Sequence, residues 1–132
     1  MIWRRRNKGI GYEIAAGLGA LGWSVGIGAR DEQRREDAVA KLRAAGVDAF
    51  GVLLDVTDDA SVAAAAALIE ERAGRLDVLV NNACPGYVAT DLNGFHGTST
   101  PAEGAKIAIR LATLPDDGPT GGLFDDTGNV PW

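Results

Sequence analysis

The stretch GIGYEIAAGLGALGWSVGIGARD, residues 9–31, decides the fold. Its first half carries apolar side chains four, four and three positions apart, which is the spacing of one helix face: Ile10, Ile14, Leu18 and Leu21. Its second half, residues 23–29, is a short apolar run that predicts a β-strand. Gly17 and Gly19 each weaken a helix by about 1 kcal/mol relative to alanine. We therefore expect this helix to pack very closely against a neighbour.

The alternation of helix and strand continues beyond this stretch. Asp31 predicts the N-cap of a second helix, which runs to about Ala45 and stops at Gly46. A strand over residues 47–56 is expected next, because the run is apolar and bounded by turn residues. The pattern up to this point predicts a helix–strand–helix–strand order.

An alanine-rich helix follows, capped by Thr57 or Asp58 and ending at Gly74, with Val62, Ala66 and Ile69 on its expected inner face. Residues 76–80, Leu-Asp-Val-Leu-Val, form a nearly all-apolar run. Such a run predicts a strand that helices cover on both faces.

The last third of the chain predicts one more helix and one more strand. Thr100, Pro101 and Glu103 form a capping-box signal for a helix that runs to about Leu114. Residues 121–124 predict a final strand, which we expect beside the strand at residues 76–80. The whole pattern indicates a single α/β domain over residues 1–132, with a doubly wound parallel sheet in three layers, α/β/α.

Composition excludes several classes of function. The 132 residues are 46% apolar, carry a net charge of −5 and have a pI near 4.7, which argues against nucleic acid as a partner. One cysteine and one histidine exclude an internal disulfide and a two-histidine metal site, so no metal is predicted. No apolar run is long enough to span a bilayer and no signal peptide is recognisable, so we expect a cytoplasmic protein without membrane contact.

The first residues differ from the acidic remainder. Arg4, Arg5, Arg6 and Lys8 place four positive charges directly before a glycine-rich turn. This basic segment is either a solvated tail or a contact for an anion. The turn itself, Asn7 to Gly11, opens the first helix, where free N–H groups and the positive end of the helix dipole favour a phosphate. A glycine turn before a helix is also common without any ligand.

Arg30 stands about 20 residues after this turn, at the end of the predicted strand. An acidic residue there would accept the ribose 2′-hydroxyl of NAD, whereas an arginine favours the 2′-phosphate of NADP. The alternative is a solvated residue at a helix start. Asp55 ends the next strand, where it either accepts from an adenine amino group or caps a helix. Residues 81–83, Asn-Asn-Ala, follow the third strand, where amide side chains tie strands together or line a cofactor cleft.

In this order the motifs resemble the short-chain dehydrogenase/reductase family, and within it the NADPH-dependent carbonyl reductases. Gly9 and Gly11 match the last two glycines of the family's T-G-x-x-x-G-x-G motif, and residues 81–83 match the start of N-N-A-G. Residues 84–91, Cys-Pro-Gly-Tyr-Val-Ala-Thr-Asp, resemble the P-G-x-V-x-T segment beside the nicotinamide. The resemblance implies a Rossmann-like fold, an NADP(H) cofactor, and cofactor contacts at Asn7, Lys8, Gly9, Ile10, Gly11, Arg30, Asp55, Val56, Asn82, Ala83, Pro85, Gly86, Val88 and Thr90.

The sequence departs from the family pattern in two places. Arg4 and Arg5 stand where the family has Thr and Gly, and its first, central strand is replaced, so whether Ile2 and Trp3 add a short strand is open. Residues 1–83 resemble the N-terminal half of the family and residues 84–132 its C-terminal end. The segment between them, which carries the catalytic Ser and Tyr-x-x-x-Lys, has no counterpart.

No catalytic residue is therefore predicted. The tyrosines are Tyr12 and Tyr87, and the residues four positions later are Ala16 and Asp91. Three hypotheses follow: a catalytically incomplete relative of carbonyl reductases acting on ketones or aldehydes, a residual NADP-binding module, and a non-catalytic interaction fragment or deletion product without nucleotide binding. Expected partners are a dinucleotide, a small carbonyl compound, and a second copy of the chain through uncovered apolar surface.

Overall fold

The computed structural model describes residues 9–80, 88–90, 93–119, 121–124 and 128–130. Over these residues the elements follow in the order α1 (Ile10–Ala20), β1 (Val25–Ala29), α2 (Glu32–Ala44), β2 (Ala49–Leu53), α3 (Asp59–Ala73), α4 (Pro101–Ala112), β3 (Leu123–Phe124) and β4 (Asn129–Val130). The predicted order of helices and strands is confirmed through α3. The question of a strand at Ile2 and Trp3 lies outside the described residues.

β1 and β2 pair in parallel, with Val25 opposite Ala49 and Ala29 opposite Leu53. Just before this ladder the N–H of Val25 donates to the carbonyl of Asp48 over 2.8 Å. Because α2 connects the two strands, the three elements form a parallel βαβ unit. β1 begins two residues later than the predicted strand at 23–29 and ends where predicted. β2 begins two residues later and ends three residues earlier than the predicted strand at 47–56.

Helices cover both faces of this small sheet. On one face α1 and α2 pack against β1, α4 packs against α1, and the fully buried side chains of α1 and α2 include Ile14, Leu18 and Leu42. On the other face Phe50, Val52 and Ala65 bring α3 against β2. The three-layer α/β/α arrangement is therefore confirmed.

The close packing expected of α1 is present at both glycines. A Cβ at Gly17 would overlap the side chain of Ile109 in α4, and a Cβ at Gly19 would overlap all the branches of Val47. α1 consequently lies in direct contact with α4 on one side and with the segment before β2 on the other. The cost of the glycines in helix propensity is offset by this contact.

Polar caps fix the predicted helix ends. Asp31 accepts a hydrogen bond from the N–H of Arg34 over 3.0 Å, and Asp58, not Thr57, accepts from the N–H of Ala60 over 3.1 Å. Thr100 and Glu103 form the predicted capping box. Gly46 and Gly74, with φ of 83° and 66°, follow the helices in the left-handed region as expected. In α3, Ala65 and Ile69 are buried, whereas two of the predicted inner residues are not: Val62 is 43% exposed and Ala66 is exposed as well.

The predicted strand at residues 76–80 is wrong. These residues have no regular secondary structure, although Val80 is buried in the core beside α1 and α4. A cavity of about 920 Å³ separates them from the start of β1, and it is lined by Trp23, Gly26, Leu76 and Val78 among others. A strand needs a hydrogen-bonding neighbour at about 4.8 Å, and within the described residues none stands beside this run.

The final strand forms, but its predicted position is wrong. β3 pairs with β4 in an antiparallel hairpin, with Leu123 opposite Val130, rather than with residues 76–80. A second cavity, of about 460 Å³, lies between Val78, Leu123 and Ile107 of α4. A nearby antiparallel partner needs only a short turn, whereas pairing with residues 76–80 would have required the cavity to close.

Candidate functional site

The carboxyl ends of β1 and β2 bring two predicted site residues together. Arg30 directly follows β1, and Asp55 lies two positions beyond β2. Since the strands are parallel and in register, both residues leave the sheet at the same edge. Nη1 of Arg30 lies 3.7 Å from Oδ2 of Asp55, and the side chains are 54% and 30% exposed. An open pair of this kind contributes about 0–1 kcal/mol, so a ligand anion can compete for the guanidinium.

Asp55 is held in place by its own turn. Its Oδ1 accepts from the N–H and the hydroxyl of Thr57 over 3.1 and 2.7 Å. Its N–H donates to the hydroxyl of Ser61 in α3 over 2.9 Å. The cap of α3 is Asp58, so Asp55 is not the helix cap that the sequence left open. Val56, the next predicted site residue, is 49% exposed at this edge.

The start of α1 carries glycine at two of three successive positions, Gly9 and Gly11. Gly9 is the N-cap in an extended conformation, and its carbonyl accepts from the N–H groups of Tyr12 and Glu13. A Cβ at Gly9 would meet no described atom within 4 Å. Gly11 is buried and Ile10 packs on the core of α1, α2 and β1. The first helical N–H groups of α1 point away from the helix, as an anion requires.

Val88 and Thr90 form a second group of predicted site residues. Val88 is buried and pairs with Ser99 in an isolated parallel bridge. Thr90 is partly buried, and its N–H donates to the side chain of Asn93. The remaining predicted contacts lie outside the described residues: Asn7, Lys8, Asn82, Ala83, Pro85 and Gly86.

Two side chains near these groups were missed by the sequence reasoning. Arg35 of α2 is 11% exposed, and its Nη1 lies 3.5 Å from the carbonyl oxygen of Ala29 at the end of β1. Its Nε would lie 2.9 Å from a Cβ at Gly51, so the glycine in the middle of β2 makes room for it. A glycine inside a strand signals such a close approach. The side chain of Asn93 forms hydrogen bonds with the N–H of Thr90 and with the carbonyl of Val88. The Asn-Gly pair at residues 93–94 is a turn signal that could have drawn attention to it.

Two further side chains, Tyr12 and His96, carry groups capable of acid–base chemistry. Tyr12 packs partly buried against the core, and His96 is exposed. Over the residues described, no group of three or more His, Cys, Asp or Glu side chains is arranged to hold a metal ion. Nor is any helix within the described ranges long and apolar enough to cross a bilayer.

Comparison with known proteins decides the family. The family model described as "short chain dehydrogenase" matches residues 6–93. This chain belongs to the short-chain dehydrogenase family. Among its curated relatives, short-chain dehydrogenase/reductase 1 of Saponaria officinalis is 41% identical over 80 residues, and carbonyl reductase (NADPH) 1 of Mus musculus is 43% identical over 67 residues. The matches cover 58% and 49% of this chain, but only 26% and 24% of those proteins.

Solved structures agree with this assignment. Actinorhodin polyketide ketoreductase with NADPH superposes with a TM-score of 0.57 at 34% identity, covering 84% of this chain and 46% of the ketoreductase. A metagenomic short-chain oxidoreductase in complex with NADP gives a TM-score of 0.56 at 35% identity, covering 84% of this chain and 49% of the other. The predicted Rossmann-like class is thus confirmed. The matched part of this chain covers less than half the length of each of these four proteins.

Proposed function

We propose that this member of the short-chain dehydrogenase family binds NADP(H) at the carboxyl edge of β1 and β2 and, as the chain stands, does not reduce a carbonyl group by itself. The observation that carries the proposal is the position of Arg30, half exposed at that edge and 3.7 Å from Asp55. The pair offers a cation for a 2′-phosphate beside a carboxylate for an adenine amino group.

Charge at the edge supports NADP over NAD. In such folds a carboxylate recognises the ribose 2′-hydroxyl of NAD, and it stands directly after the strand that follows the glycine turn and its helix. In this chain that strand is β1, and Arg30 occupies the position. Arg35 adds little free charge there, because its Nε lies 3.2 Å from Oε1 of Glu36 while its Nη1 lies 3.5 Å from the carbonyl oxygen of Ala29. The names of the similar proteins agree, since one is a carbonyl reductase using NADPH and two structures hold NADPH or NADP.

The pyrophosphate has a matching place at the start of α1. Gly9 leaves its backbone open to approach, and the helix dipole favours negative charge there. In the proposed complex Ile10 and Gly11 contribute backbone N–H groups, and Val88 and Thr90 contact the nicotinamide half. Asn7, Lys8, Asn82, Ala83, Pro85 and Gly86 complete the proposed set by resemblance alone.

The absence of a Tyr-x-x-x-Lys sequence supports the second part of the proposal. Proton transfer to the carbonyl oxygen needs a placed acid. Tyr12 of α1 is partly buried against the core, and no lysine stands four residues after either tyrosine. The substrate class inherited from the family is a small ketone or aldehyde. A single cysteine suits a reducing compartment, and we propose the cytoplasm as the location.

Titration calorimetry with NADP⁺ and NAD⁺ tests the cofactor. We expect NADP⁺ to bind more tightly, and Arg30→Ala to weaken NADP⁺ by about 10- to 100-fold, because a hydrogen bond to a charged group contributes about 1.5–3 kcal/mol. NAD⁺ affinity should change far less. Lys41→Ala removes the same charge from the far end of α2 and should leave both affinities unchanged. Equal NADP⁺ binding by wild type and Arg30→Ala would contradict the proposed site.

Catalytic incompleteness has its own assay. When the chain is purified away from host reductases and mixed with NADPH and simple ketones or aldehydes, the absorbance of the reduced nicotinamide at about 340 nm should not fall. Steady NADPH oxidation that scales with chain concentration would overturn this part and leave the binding site intact.

A non-catalytic interaction fragment is the second candidate, and exposed apolar side chains favour it. Leu76 and Leu79 are 47% and 58% exposed in the run that lacks a strand partner, and Leu21 is 59% exposed. Exposed apolar side chains grouped together mark surfaces that associate. Sedimentation equilibrium separates the candidates, because self-association without NADP⁺ binding favours the interaction fragment and a monomer that binds NADP⁺ excludes it.

A further inference from the structure

Backbone contacts join the described residues on either side of the loop between Val88 and Ser99. The N–H of Ala89 donates to the carbonyl of Ser99 over 2.7 Å, which places the two ends of the loop side by side. A Cβ at Gly97 would overlap the backbone of Val88 and Ala89, so only glycine allows this approach. Val88 and Ala89 are therefore held against Gly97 and Ser99.

Asn93 connects this loop to both proposed nicotinamide contacts. Its Oδ1 accepts from the N–H of Thr90 over 3.0 Å, and its Nδ2 donates to the carbonyl of Val88 over 2.9 Å. Both bonds are partly shielded from water. One amide side chain thus holds the peptide groups of two residues at once.

The backbone after Thr90 strengthens the same arrangement. The carbonyl of Thr90 accepts from the N–H of Asn93 over 3.2 Å and from the N–H of Phe95 over 2.8 Å. Phe95 adopts a φ of 64°, which a non-glycine residue rarely takes, and so the turn is closed by a strained residue. The N–H of Thr90 is thus bound by the side chain of Asn93, and its carbonyl is bound by the N–H groups of Asn93 and Phe95.

We infer that Asn93 is a positioning residue for the nicotinamide half of the dinucleotide, holding Val88 and Thr90 in the conformation that the ligand needs. The inference rests on the proposed function, because it takes these two residues as contacts of that half. Fixing a binding segment before the ligand arrives raises affinity by lowering the ordering cost of binding. Only the amide of asparagine supplies an acceptor and a donor at this reach.

Two ligands separate this role from general stability. NADP⁺ contains both halves of the dinucleotide, whereas adenosine 2′,5′-bisphosphate contains only the half proposed to lie at Arg30 and Asp55. For Asn93→Ala in the full chain, we expect calorimetry to show NADP⁺ binding weakened about tenfold. The affinity for the bisphosphate should stay within about twofold of wild type.

Asn93→Asp dissects the two bonds. It keeps an acceptor for the N–H of Thr90 but sets a carboxylate oxygen against the carbonyl of Val88. We expect it to weaken NADP⁺ at least as much as Asn93→Ala, with the bisphosphate again unchanged. His96→Ala is the matched control, because His96 is exposed on the same loop, and it should alter neither affinity.

The outcomes are distinguishable from one another. An equal loss of both ligands in the two Asn93 variants would assign a structural role to Asn93 and overturn the inference, as would NADP⁺ binding that is unchanged. A wild-type chain that binds the bisphosphate as tightly as NADP⁺ overturns the inference but leaves the site at Arg30 standing. A wild-type chain that binds neither ligand overturns the proposed function itself.

Discussion

Residues 25–29 and residues 76–80 are both short apolar runs, and only the first is a strand. Local preference favours the second, because Leu-Asp-Val-Leu-Val contains no glycine, whereas Val-Gly-Ile-Gly-Ala contains two. The order of burial is reversed. Val25 and Ile27 are almost completely buried, while Leu76 and Leu79 are about half exposed.

The difference lies in the neighbour and not in the run itself. β1 has β2 beside it in register and α1 and α2 above it. Residues 76–78 instead face a cavity of about 920 Å³ across from Trp23 and Gly26. A strand is a property of a hydrogen-bonded pair, so an apolar run without a partner remains irregular even when one of its residues, Val80, reaches the core.

The largest expected effect comes from truncating one apolar side chain in each run. Ile27→Ala removes a buried side chain from β1 and should lower the free energy of unfolding by about 2–5 kcal/mol. Leu79→Ala removes an exposed one and should change it by less than about 0.5 kcal/mol. Urea unfolding followed by circular dichroism measures both. Comparable losses in the two variants would mean that residues 76–80 are held as firmly as β1.

Local signals in the sequence predicted most of the fold correctly. Asp31, Asp58 and Thr100 each cap a helix because their side chains reach N–H groups only two or three residues away. The fate of residues 76–80 depends on which element stands beside them, which is a long-range fact. The position of β3 went wrong for the same reason, since its partner was assumed to be that run.

In the candidate site, too, some contacts could be predicted from the sequence and others could not. Arg30 and Asp55 could be predicted as neighbours, because parallel strands in register deliver the residues after them to one edge. Arg35 and Asn93 act through side chains that fold back onto backbone carbonyls, of Ala29 and Val88. Such contacts depend on rotamers and loop shape, so residue type and spacing do not specify them.

An intermediate effect is expected where α1 meets the segment before β2. Gly19→Ala would drive a Cβ into the side chain of Val47, and overpacking of a filled core costs about 1–3 kcal/mol. The gain of about 1 kcal/mol in helix propensity offsets part of that cost. Gly17→Ala should cost less, because the atom it meets is the flexible end of Ile109.

Thermal and urea unfolding of a double variant checks the cause. Val47→Ala makes room beside Gly19, so Gly19→Ala should destabilise Val47→Ala less than it destabilises wild type. Additive losses would show that the contact between Gly19 and Val47 does not set the distance of α1 from the sheet. The stability of the βαβ unit would then depend less on the packing of α1 than the comparison of residues 25–29 with residues 76–80 implies.

The smallest effect concerns α4, one of the helices that share a core cluster with residues 76–80. Ala105 and Ala108 of α4 share a cluster with Val80. Glu103 begins this helix, and hydrogen bonds from the N–H and the hydroxyl of Thr100 lower the pKa of its carboxyl group. Its ionised form is thus favoured in the folded chain.

Since the folded pKa of Glu103 lies below its unfolded value, its contribution to stability is complete above the unfolded pKa, about 4.3, and is lost as the pH falls through the folded pKa. Glu103→Gln keeps a side-chain oxygen for Thr100 and removes the titration, so the free energy of unfolding should fall less steeply below about pH 4 than in wild type. Urea titrations between about pH 3 and pH 7 measure the slope. Thr100→Ala, which removes the hydroxyl donor and leaves the N–H, should give a slope between the two. An acid slope in Glu103→Gln equal to that of wild type would show that ionisation of Glu103 does not contribute to stability through the capping box of α4.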